Sequence, residues 1–74
     1  MDEAARWVVA ELKDQHARWK AVSGEGAQLH ASELQRRMPE ACRAARFADV
    51  EQKLARLNCR NAGGGWWEWM PAAA

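Results

Sequence analysis

Apolar residues recur at three- and four-residue steps along two stretches of this 74-residue chain, and near its end an aromatic run replaces that rhythm. Ala4, Ala5, Val8, Leu12, Trp19 and Val22 form one helical stripe, which predicts a first helix running from a cap at Asp2 to about Val22. Ser23-Gly24-Glu25-Gly26 stops it. Ala27-Gln28-Leu29-His30 is too short for its period to decide, but it is long enough for a small strand. A second helix opens at His30 or Ser32. Ser32 is the better intrinsic cap, whereas His30 with Glu33 has capping-box spacing. This helix runs through Glu33-Leu34-Gln35-Arg36-Arg37-Met38, because Pro39 disfavours the α conformation in the residue before it.

Phe47, Val50, Leu54 and Leu57 again share one helix face. Two readings of the preceding stretch are open: one helix over residues 40–58, or a short helix through Ala41, Ala44 and Ala45 followed by a turn at Arg46 to Ala48. Asp49 and Gln52 have the spacing of a cap and its reciprocal partner, which favours the second reading, with the main helix from Asp49 to Asn58. Asn58-Cys59-Arg60-Asn61-Ala62 then leads into Gly63-Gly64-Gly65 and Trp66-Trp67-Glu68-Trp69-Met70. Glycines give a turn access to positive φ, and bulky aromatics favour a pleated strand, so a glycine-tipped hairpin is expected. In an extended segment Trp67 and Trp69 face one way, and Trp66, Glu68 and Met70 the other. The Pro71-Ala72-Ala73-Ala74 tail is expected to fray.

Taken together, residues 29–70 resemble a winged helix-turn-helix domain. The likeness is carried by Leu29-His30-Ala31-Ser32-Glu33-Leu34 as entry to the second helix and by Asp49-Val50-Glu51-Gln52-Lys53-Leu54-Ala55-Arg56-Leu57 as the third. Gly65-Trp66-Trp67-Glu68-Trp69 stands as the returning wing strand. The run is also similar to the C-terminal domains of phage and plasmid helicase-primase proteins. The resemblance implies a mainly α winged helix, with three to four helices and a small C-terminal β-hairpin wing. It implies one such domain over residues 1–70, a disordered tail at 71–74, and a DNA-binding task in a phage or plasmid replication or regulatory system. The stretch after Pro39 is longer than the short turn of an orthodox helix-turn-helix.

Charge sharpens this expectation. The whole chain carries only +1, but residues 35–60 hold seven cations (Arg36, Arg37, Arg43, Arg46, Lys53, Arg56, Arg60) against Glu40, Asp49 and Glu51, a net +4. Distribution matters more than the total for a nucleic-acid ligand. On a continuous third helix Lys53, Arg56 and Arg60 fall close together beside the apolar stripe, where cations can meet phosphates. Asn61 and the wing glycines are placed to reach a groove or backbone. An exposed tryptophan among Trp66, Trp67 and Trp69 is placed to stack on a base or enter a partner's pocket. The alternatives are a solvated charged face and a wing that only covers a small core. On helix one, Trp19 lies on the stripe and reads as core, and Trp7 lies off it.

The rival functional expectation is a protein-interaction module, in which the tryptophan wing and helix one meet a partner or a second copy. No phosphate-cradling, dinucleotide-binding, metalloprotease or nucleophile-elbow motif occurs, so neither catalysis nor a cofactor is expected. His16, His30, Cys42 and Cys59 lack any close ligand pair and predict no metal site. Cys42 and Cys59 are expected as free, buried thiols in a cytoplasmic protein. The start at Met1-Asp2-Glu3 lacks a basic-then-apolar leader, and no apolar run reaches the length of a membrane span.

Overall fold

A computed structural model of the chain describes residues 3–24 and 26–70. Three helices and a small antiparallel sheet follow one another in the order α1 (Glu3–Ser23), β1 (Gln28–His30), α2 (Ala31–Arg37), a single 3-10 turn (Glu40–Cys42), α3 (Phe47–Leu54), β2 (Cys59–Gly63) and β3 (Trp66–Trp69). The expected Asp2 cap and the 71–74 tail lie outside the described residues.

Helix α1 buries Ala4, Ala5, Val8 and Leu12. These positions recur on one face, and that face lies across α3 and the sheet. The same stripe does not stay buried. Trp19 is 53 % exposed and Val22 83 % exposed, which corrects the placement of Trp19 in the core. The reason is length: 21 residues at 1.5 Å each make a helix of about 31 Å, whereas the domain's two shorter dimensions are 23 Å. The last turns therefore run past the core. Trp7, off the stripe, packs against it instead.

His30 is the N-cap of α2, with its ring accepting a hydrogen bond from the Ser32 backbone N–H at 3.1 Å. Met38 leaves the helix in extended conformation, as the following Pro39 requires. Two helical pieces then replace any continuous 40–58 helix, but their limits differ from the expected ones. Arg46 is the N-cap of α3 and makes no side-chain cap bond, so Asp49 lies within the first turn rather than at the cap. There the positive end of the helix dipole favours its carboxylate. Helix α3 ends at Leu54, four residues before the expected Asn58. Past it the backbone tightens to bonds three residues apart, Arg56 N–H to Lys53 C=O and Leu57 N–H to Leu54 C=O, both at 3.0 Å. Asn58 then adopts the left-handed region at φ 61° and turns the chain into β2.

The sheet has the order β1-β3-β2, all antiparallel. Strand β3 is central: Trp67 pairs with Leu29 on one side and with Asn61 on the other, and Glu68 lies between Gln28 and Arg60. The register slips between Asn61 and Gly63, and Gly63, Gly64 and Gly65 all have positive φ, the conformation that glycine allows at no steric cost. The alternation expected of residues 66–70 is present. Trp67 is only 4 % exposed and lies in the core with Leu29, Leu34, Val50, Leu54 and Cys59, while Trp66 on the opposite face is 45 % exposed. Cys42 and Cys59 are both buried and free.

Candidate nucleic-acid interface

Val50 and Leu54 lock one face of α3 into the core. Arg46 at the N-cap and Asp49, Gln52 and Lys53 of α3 are exposed, and the turn after the helix adds an exposed Arg56. With Ala44 and Ala45 these five residues line an open hollow of about 560 Å³. Its polar wall carries three cations and one carboxylate. Arg46 and Arg56 make no ion pair among the described residues, so their charge is available to a ligand.

The other cations of the expected basic surface are engaged elsewhere. Arg36 and Arg37 both donate to Glu33, and Arg37 also reaches Glu11 of α1 at 3.0 Å, tying the two helices together. The hydrogen bonds from Arg36 and then Arg37 hold the Glu33 carboxyl down to about 2, and that carboxylate in turn raises both guanidinium groups. Arg43 donates to the carbonyls of Met38, at 2.9 Å, and Arg36, at 3.3 Å, where α2 runs out of intrahelical partners. Its role is a C-terminal cap on α2. Arg60 is not on the third helix at all: it lies on β2 and pairs with Glu68 of β3. Asn61 accepts the Gly63 N–H at 2.8 Å and so shapes the hairpin tip. Of the eight expected contact residues, the fold gathers Arg46, Lys53 and Arg56. It leaves Arg36 and Arg37 on α2, Arg43 turned back onto the end of α2, and Arg60 and Asn61 on the hairpin.

The three hairpin tryptophans have three different tasks. Trp67 is core, and its indole N–H donates to Glu51 Oε2 of α3 at 2.9 Å, so a buried donor keeps its partner. Trp69 is half-buried, with the His16 ring edge-on at 5.3 Å and the Lys13 ammonium 5.5 Å from its centroid. Trp66 is exposed, with the His30 ring flanking it edge-on at 5.1 Å. That histidine also fixes the hairpin. Its Nδ1 accepts from Ser32, which leaves the proton on Nε2 in the neutral ring, and Nε2 donates to the Gly64 carbonyl at 2.9 Å.

Glu51, Lys13, His16 and His30 carry these contacts, and only His30 had any signal in sequence, through its capping spacing. Glu51 counts in sequence as one negative charge against the basic run. Its pairing with a residue sixteen positions away becomes visible only in three dimensions. Among the described residues no group of three or more His, Cys, Asp or Glu is arranged to hold a metal ion, and no helix is long and apolar enough to cross a membrane. Comparison of the chain with known protein families, curated proteins and solved structures finds no match.

Proposed function

We propose that this chain is a non-enzymatic DNA-binding module of winged-helix type. The observation that carries the reading is the outward face of α3, where Arg46, Lys53 and Arg56 surround one open hollow while the opposite face is fixed in the core. The order helix, strand, helix, helix, hairpin, with the short first strand paired to the returning hairpin strand, supports the winged-helix reading. The buried face fixes the backbone from which these cations project. The hairpin, through the exposed Trp66, forms a second point of contact. Phosphate contacts position such a module and supply affinity without reading sequence. Two free, buried thiols support a reducing, cytoplasmic setting. A place in phage or plasmid replication or regulation rests on the resemblance of residues 29–70.

The test is a fluorescence-anisotropy titration with generic duplex DNA over a series of salt concentrations. Three phosphate contacts give a log-log salt slope of about −2.7, and Arg56→Ala flattens it by about 0.9. Arg46→Ala acts in the same way. Affinity and slope that stay unchanged in both variants remove the α3 hollow from the reading.

A further inference from the structure

A second hollow lies on the other side of Arg56, and its composition differs from the first. Val9 of α1, Leu57 after α3 and Trp69 of β3 form an apolar floor, and Arg6, Lys13 and Arg56 stand around it. Among the described residues no acidic side chain lines it. Val9, Leu57 and Trp69 are only partly buried, so apolar surface remains open to solvent between three positive charges.

We infer that this groove between α1, the α3 exit and the hairpin docks an acidic, amphipathic peptide segment of a protein partner. Charge complementarity selects the sign: three cations facing one groove favour carboxylates and disfavour a basic segment. The floor selects the rest of the chemistry. A phosphate backbone offers nothing to cover Val9, Leu57 and Trp69, whereas apolar side chains spaced between carboxylates cover them and leave the acids at the rim. Lys13 is already held over the Trp69 ring, so its ammonium is positioned beside the floor before any ligand arrives. Arg56 lines both hollows, whereas Arg6 and Lys13 lie outside the α3 hollow, so substitutions at these two separate this groove from the DNA surface.

The experiment is heteronuclear shift mapping on the full chain with three probes. The first is a short synthetic peptide alternating glutamates with leucine and phenylalanine at helical spacing. The second is the same peptide with serine at its apolar positions, and the third is generic duplex DNA. The first peptide is expected to shift Val9, Leu57 and the Trp69 indole, and to saturate below about 1 mM. Arg6→Glu and Lys13→Glu should each weaken it by about three- to tenfold. Arg46→Ala should leave it unchanged and weaken only DNA. Milder Arg6→Ala and Lys13→Ala variants, whose spectra report an intact fold, guard against loss by unfolding. The serine peptide should fail to saturate. The inference is overturned if the first peptide produces no saturating shift, if the serine peptide binds equally, or if Arg6 and Lys13 substitutions change nothing. It is also overturned if DNA shifts Arg6, Val9, Lys13 and the Trp69 indole, residues outside the α3 hollow, which would make the groove an extension of the nucleic-acid surface.

Discussion

The bond between Glu51 and Trp67 is the contact by which α3 and the hairpin hold each other, and its strength can be isolated. The Trp67 ring is almost fully buried, and its N–H reaches a half-buried carboxylate at 2.9 Å. Glu51→Ala leaves that donor without its protein partner. An unmet buried donor costs about 1–3 kcal/mol, and because water reaches the Glu51 side, the lower half, about 1–2 kcal/mol, is expected. Trp67→Phe removes the donor itself and leaves a small gap, which costs about 1–2 kcal/mol by the scaling of lost contacts with cavity volume. With the donor gone, Glu51→Ala becomes an ordinary surface change of less than about 0.5 kcal/mol. The double-mutant cycle should therefore show a coupling of about 1 kcal/mol, beyond the roughly 0.3–0.5 kcal/mol within which independent sites add. Urea unfolding followed by far-ultraviolet circular dichroism measures all four proteins without relying on tryptophan emission. Each kcal/mol also corresponds to about 4–8 °C in Tm for a domain of this size. Additive costs for the two substitutions would refute the reasoning and reduce the pair to a coincidence of packing.

Other consequences separate the remaining parts. Trp66→Ala should change stability by less than about 0.5 kcal/mol and Trp67→Ala by about 3–5 kcal/mol; comparable losses in urea melts would contradict the two-faced strand. A Cβ at Gly26 would lie 2.5 Å from His16 Nδ1, so Gly26→Ala should cost about 1–3 kcal/mol by overpacking. In a His16→Ala background that cost should largely vanish, and its persistence would place the strain elsewhere. Burial pushes the Cys59 thiol up to about 11. Alkylation at neutral pH should thus be far slower than for a free thiol, and rapid labelling of the folded protein would contradict it. Because the raised value favours the neutral form in the folded state, the associated stability is complete below the ordinary thiol range near 9.0 and is lost as pH rises through about 11. Arg36 and Arg37 hold Glu33 at about 2, so its contribution is present above the ordinary value of 4.5 and disappears as pH falls through about 2. A carbon-detected NMR titration of Glu33 with its midpoint in the usual glutamate range would refute that pairing.

The local features that sequence determines here are those whose physics is local. Pro39 ends α2 at Arg37 because the clash of its ring with the preceding residue needs no tertiary partner. The three glycines make the hairpin tip because each can take positive φ alone. Strand alternation puts Trp66 and Trp67 on opposite faces, and the apolar steps of Ala4, Ala5, Val8 and Leu12 bury one side of α1. Tertiary structure decided the rest. Periodicity alone continues the α1 stripe to Trp19 and Val22 and the third helix to Asn58, since it carries no information on where the core ends or where Cys59 must leave to pair with Trp69. The basic cluster divides for the same reason. Seven cations within twenty-six residues look alike in sequence, yet distant carboxylates and open carbonyls engage Arg37, Arg43 and Arg60. Charge density is a property of sequence, but which charges remain available to a ligand depends on partners that only the folded chain brings together.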